Sequence, residues 1–527
     1  MNLLGRGIRQ WIAFTLGVVL LGSSSVSWAA ASKESTFTFR LQGEPETLDW
    51  NRAHTLSETY LLLNLMEGLV EVAPNLKLEN RLAERFSISP DGRTYTFYLR
   101  KGVKWQDGVP LRAADFVYSW KRLLSPLTAA SYAYLLFDIQ GAKDFYEGKL
   151  KDFSKVGIKA IDDRTFEVKL QRPMAHWIYI PTFWVTFPLR EDVVAKHGSS
   201  WTAPGKMITL GPYTLESREL DSKIVLRANA NYWGKRGNVQ KVIGQIVSDD
   251  QTALTLFETG NLDFMGEIPL LELSRVSSRP EFRVFPYLKT SYLGFNVSKF
   301  PMSSVRFRRA VAMAIDKAKL VDALQGKQTP ATSFLPPGLL GRDPKAGLPL
   351  DLLRARSEMR LSGVEVGTEP ITLDLLAYNL NKNRRMAEIL QAQLKAALGI
   401  QVNIELFDPK AFRAQIDLGV YPMFQGMWGA DYPDPDNFMG IFQSTAGNNR
   451  TAWKSAAYDQ WIDQARSNQV IRDRERLYMQ AEKLLLEKEA VIVPLFYEPL
   501  LTLISRRARN VEVNPLNYLY LRNVSVD

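Results

Sequence analysis

The 527-residue chain is too long for one ordinary core, and 46% apolar with 23% charged residues excludes a disordered or fibrous protein. A net charge of +10 is scattered along the chain, so it is read as a general bias that favours anionic ligands, with no nucleic-acid-binding tract. The absence of cysteine excludes disulfide stapling and thiolate chemistry.

At the N-terminus Arg6 and Arg9 precede the apolar run WIAFTLGVVLLG and then the small residues SSSVSWAAA. This order is that of a secretory signal peptide, expected over 1–31 with cleavage after Ala29 or Ala31. The run is short for a bilayer span of ~20 residues. With no cysteine to carry a lipid anchor, a free periplasmic protein is expected, not a lipoprotein.

STFTFRLQGEPETLDW begins as an alternating strand and runs into a turn. SETYLLLNLMEGLVEV predicts a helix with Leu61, Leu62, Leu65, Met66 and Leu69 on its apolar side. In DGRTYTFYLRKGVKWQDGVPL, Asp91-Gly92 and Asp107-Gly108 mark turns, and Tyr95, Phe97 and Leu99 share one strand face. LRAADFVYSWKRLL places Phe116, Val117, Trp120, Leu123 and Leu124 at helical spacing. DRTFEVKL and SKIVLRAN alternate as strands, and DDQTALTLFETGNLD is a helix stopped near Gly260. RFRR at 306–309 is the one dense basic run, and it opens an apolar helix. ITLDLLAYN, RRMAEILQAQLKAALG and IQVNIELF then form a β-α-β run. Met386, Ile389, Leu390, Leu394, Ala397 and Leu398 line its helix, and Gly399 is the stop. That run predicts a parallel sheet with helices on its faces. Pro- and Gly-rich connections are expected at 330–350 and 201–214.

Enzyme chemistry is poorly supported. His54, His176 and His197 are far apart with no metal-ligand spacing, there is no G-x-S-x-G elbow, and no phosphate-cradling loop occurs. A paired-carboxylate glycosidase stays open, because its two acids need not be near in sequence. Aromatics are plentiful, at 12 Trp, 20 Tyr and 26 Phe, and most must be core. Trp105, Trp233 and Trp428 lie beside turn residues, a placement that fits either a ligand cleft or the rim of a core.

From Glu67 to Arg122, the block EGLVEVAPNLKLENRLAERFSISPDGRTYTFYLRKGVKWQDGVPLRAADFVYSWKR resembles the extracytoplasmic oligopeptide-binding proteins of ABC importers, solute-binding protein family 5. GEPETLDW (43–50), GPYTL (211–215), NANYW (229–233), ETGNLDF (258–264), YNLNKN (378–383) and WGADYPDPDNF (428–438) follow that family's order, as does the 288–321 segment. The resemblance implies an α/β, two-lobed periplasmic-binding-protein clamp. Lobe one is discontinuous (32–66, 193–292 and 500–527), with an inserted subdomain at 67–192, and lobe two is 293–499. It implies a non-enzyme without cofactor or metal, monomeric. Its ligand would be a short peptide, handed to ABC permease subunits served by cytoplasmic ATPases. The same fold serves murein peptides, nickel chelates, haem or opines. An exported hydrolase or chaperone-like protein is the reading from another class.

By the same resemblance, Asp431 anchors the peptide's α-ammonium, while Trp428, Gly429 and Ala430 present backbone groups. Read from its letters alone, Asp431 is better taken as a helix or turn cap. The Pro-Asp run after it is expected to lead back to solvent. His54 to Leu56, Tyr132 and Tyr497 are expected to line the cleft, with core or surface filler as the alternative for each. Well-known relatives often carry Arg three residues before the Trp, where this chain has Gln425. The resemblance offers Arg384 as the substitute carboxylate anchor, against a plain solvated residue in the first turn of a helix.

Overall fold

The computed structural model describes residues 34–364 and 370–527. The expected signal peptide lies outside the described residues. Among them, no helix is long and apolar enough to cross a membrane.

One mixed sheet of 11 strands organises the molecule. At one end Thr36–Leu41 pairs in parallel with Lys241–Ile246, which continues antiparallel through Lys223–Ala228 to Tyr213–Glu219. At the other end Thr372–Tyr378 lies parallel between Gln401–Phe407 and the start of Met423–Gly429. Two long antiparallel strands, Phe282–Phe295 and Ile492–Ile504, join the two ends. Residues 292–293 and 499–500, where lobe boundaries are expected, fall inside these strands.

The β-α-β run forms as its periodicities predict. Helix Asn381–Leu398 carries the chain between the parallel strands and ends at Gly399, whose φ of +69° suits the left-handed stop. Met386, Leu390 and Leu394 are buried, and Ile389, Ala397 and Leu398 pack against the same core. Helix Val305–Ala314 holds a surprise from the basic run. Arg308 is only 2% exposed, donating to the backbone carbonyls of Met302 and Glu489. That run is therefore partly interior, satisfied by carbonyl dipoles and not a surface patch.

A separate antiparallel sheet in the order Ala83–Ile88, Thr94–Leu99, Thr165–Lys169, Ile158–Asp162 packs under helix Ala113–Leu123. Tyr95, Phe97 and Leu99 bury one face, meeting Phe116, Trp120 and Leu123 of the helix. The early helix is shorter than its pattern. It spans Leu56–Leu65 and is buried on nearly every side, and Leu69 falls beyond it beside strand Val70–Val72.

Candidate ligand-binding site

Strand Met423–Gly429 ends at the aromatic and acidic run, and helix Pro435–Met439 begins after it. The run does not lead to solvent. Asp434 and Asp436 are 3% and 4% exposed, so the expectation of a solvated Pro-Asp exit is corrected. The cause is two arginines on the following helices. Arg474 donates to both oxygens of Asp434 at 2.8 Å, and Arg466 donates to Asp436 Oδ1 at 2.5 Å. Asp436 Oδ2 also accepts from the Tyr432 hydroxyl at 3.2 Å and lies 3.6 Å from His176 Nε2. Burial raises the Asp436 carboxyl, but His176, Arg466 and Tyr432 together bring it below the usual carboxylate range.

Asp431 is the exception. It has no cationic partner among the described residues. Asn437 alone serves it, donating from Nδ2 to Asp431 Oδ2 at 3.4 Å while Asn437 Oδ1 accepts from the Asp431 N–H and from Trp428 Nε1. Burial pushes its carboxyl above the usual range, with Asn437 opposing. It lines a cavity of about 440 Å³ with Trp428, Tyr134, His176 and Tyr432. Burial chiefly, and the Asp431 charge next, raise the hydroxyls of Tyr132 and Tyr518.

Beyond Phe424 the strand leading to Asp431 has a strand partner on one side only among the described residues. Gly426–Gly429 pair with Lys289–Tyr292, whereas Thr372–Tyr378 reaches no further than Met423 and Phe424 on the other edge. The free edge leaves backbone groups open to an extended ligand. Ala430 continues the inner pairing, its N–H donating to Leu288 O at 2.8 Å. A Cβ on Gly429 would meet only Tyr287 and Lys289 side chains at 3.8 Å, so the fold itself does not require glycine there.

The remaining sequence-predicted residues separate into two sets. Leu56 lines a second cavity, of about 290 Å³, together with Tyr287, Lys289 and Lys382. Tyr132 packs edge-on to Trp184 and lines neither cavity, though the Asp431 charge reaches its hydroxyl. His54 is exposed and lines neither cavity; Glu58 takes its N–H at 2.6 Å to cap the helix. Tyr497 is buried away from both, its hydroxyl donating to Ser333 O and accepting from Ser333 N. Arg384 is exposed and bonded to Asn379, one side of the helix away from the cavities. The basic side chain of that turn that does reach a cavity is Lys382, and it pairs with Glu498 at 2.6 Å. Gln425 is 1% exposed and locked in a reciprocal amide pair with Asn383. Of the three turn-flanking tryptophans Trp428 lines the Asp431 cavity, whereas Trp105 is core and Trp233 donates to Glu67.

The model of the bacterial extracellular solute-binding proteins, family 5 (Middle), matches residues 77–450. The chain belongs to this family. It is 30% identical over 508 residues to the probable deoxycholate-binding periplasmic protein YgiS of Escherichia coli, covering 94% of each chain. To the periplasmic oligopeptide-binding protein OppA of Salmonella typhimurium it is 30% identical, covering 92% and 91%. Among solved structures, the unliganded open form of the murein tripeptide-binding protein MppA superposes with a TM-score of 0.84 at 27% identity, covering 94% and 98%. The mixed α/β fold is that of the periplasmic solute-binding proteins.

In this family 5 chain, the sequence reading missed Tyr134, Tyr287, Lys289, Lys382, Glu498 and Tyr518. Only Lys382 carried a local signal, since YNLNKN held it two residues before the arginine chosen. The others reach the site through pairings between segments far apart in the chain.

Proposed function

We propose that this protein captures short peptides between two lobes, mainly through their backbone and termini, and delivers them to an ABC permease. Residues 32–66, 193–292 and 500–527 form lobe one with its insert at 67–192, and residues 293–499 form lobe two. The two long strands are the crossings about which the lobes close. Export to the periplasm, a monomeric state and the absence of catalysis belong to the same reading.

One observation carries it: of three neighbouring carboxylates, two are met by arginines and Asp431 is not. A carboxylate left short of a cation in a cavity, ringed by tyrosines, suits a ligand ammonium. The free edge of 426–429 beside it suits an extended backbone. A peptide meets both needs. Murein peptide, the ligand named for MppA, falls in the same chemical class. Deoxycholate, named for YgiS, is an anion with no ammonium and gains nothing from Asp431.

The test is calorimetry with tripeptides, free or N-acetylated, on wild type and Asp431→Ala. The variant is expected to lose at least about thirtyfold in affinity for free-amine peptides and far less for acetylated ones. Equal losses for both would remove the anchoring role. A thermal shift from deoxycholate and none from any peptide would overturn the peptide reading.

A further inference from the structure

Between Pro286 and Thr290 the long strand Phe282–Phe295 makes four steps while its partner, from Pro499 to Tyr497, makes two. The excess forms a bulge, the device by which strands re-aim side chains beside binding sites. Leu288 turns into the core at 1% exposure, and Tyr287 and Lys289 on either side of it turn into the 290 Å³ cavity.

The charges of that cavity are unevenly matched. Glu498 is occupied: its Oε1 accepts from Lys382 at 2.6 Å and from Ser291 Oγ at 3.1 Å. Glu267 stands exposed at the rim, beyond ion-pair distance of Lys289. Among the described residues the Lys289 ammonium has no hydrogen bond and no carboxylate within 4.0 Å; its recorded contact is the Tyr287 ring, 5.6 Å away. Burial draws its pKa below the usual lysine value, with Glu498 opposing and Lys382 adding to the effect. The cavity therefore holds a cation that lacks an anion, just as the neighbouring cavity holds an anion that lacks a cation. Gly429 lies between them, since it pairs directly with Lys289 and precedes Asp431 by two residues.

We propose that Lys289 is a specificity-determining residue, taking a carboxylate of a ligand whose ammonium sits at Asp431. The inference rests on the peptide-binding reading and sharpens it. Lys289 faces Gly429 across one strand pairing and Asp431 follows Gly429 by two residues, so the two charges of the ligand belong near its ammonium end. An acidic side chain meets that condition, and so does the α-carboxylate of a very short peptide.

Calorimetry on the full exported chain separates these sources. Ala-Glu-Ala-amide against Ala-Gln-Ala-amide reads the side chain, and Ala-Gln-Ala against its amide reads the terminus. In at least one pair the acid is expected to bind about tenfold more tightly. Lys289→Met should abolish that ratio, and Lys289→Arg should keep it. A ratio near one in both pairs for wild type, or a ratio that survives in Lys289→Met, overturns the proposal and leaves the peptide reading standing. Failure of every peptide to bind wild type removes both.

Discussion

Asp431 illustrates how a proposed binding residue weakens the protein that carries it. Its carboxyl is raised by burial, so the folded state holds its proton more tightly than the unfolded state does. At neutral pH the ionised form is a penalty on folding, and the penalty fades as pH falls through the raised value towards the unfolded one. Asp431→Asn is therefore expected to melt about a degree or two higher than wild type at pH 7 without ligand, the gap closing below about pH 4. Saturating peptide should reverse the order, because only wild type gains the full binding free energy. Differential scanning calorimetry at the two pH values checks this. A variant that melts below wild type at pH 7 without ligand would show that the carboxylate is structural.

At the scale of elements, helix Ile471–Lys483 holds the segment around Ser333 through one carboxylate. Glu482 Oε1 accepts from Ser333 Oγ and from the N–H groups of Phe334 and Leu335, and Oε2 has no partner. Burial raises its pKa to about 7, the hydrogen bonds only partly opposing. The folded value lies above the unfolded one, so stability is greatest below about pH 4.5 and is lost as pH rises to about 7. Glu482→Gln copies the protonated state. Its melting temperature should change less than that of wild type between pH 5 and pH 8. An equal fall in both would locate the pH dependence elsewhere.

The same scale separates what the sequence made legible from what it hid. Helix Asn381–Leu398 and its flanking strands were readable because each is specified by its own period. Asp431 was conspicuous for lying between aromatics, though resemblance to a family was needed to give it a task. Lys289 and Arg308 were not readable. The role of Lys289 depends on a bulge set by a strand some two hundred residues later, and Arg308 on a carbonyl at Glu489. Periodicity describes the segment itself and says nothing of the partner that will cover it. Asp434 and Asp436 misled for that reason, since their letters suggested solvent until Arg466 and Arg474 arrived.

For the whole molecule, the two long strands are the expected axis of closure. His176 stacks on Tyr432 at 5.3 Å and 4°, a contact between the proposed insert and the proposed second lobe. Small-angle scattering should give a smaller radius of gyration with saturating peptide than without, and no change for Asp431→Ala at the same concentration. An unchanged radius for wild type would mean that ligand enters a cleft already in its final shape.

Strand Ile492–Ile504 contributes to every large hydrophobic cluster: Val493, Leu495 and Phe496 to one, Ile492, Leu500 and Ile504 to a second, Leu503 to a third. Most of its positions are for that reason poor places to intervene. Glu498 differs, because the chain on both sides of it is pinned and its side chain looks into the cavity opposite Lys382 and near Lys289. Exchanging Glu498 and Lys382 would move the negative end of that pair onto the helix and place a second cation near Lys289, reversing the polarity of that wall. The strand most deeply built into the core thus also carries a handle on the proposed ligand specificity.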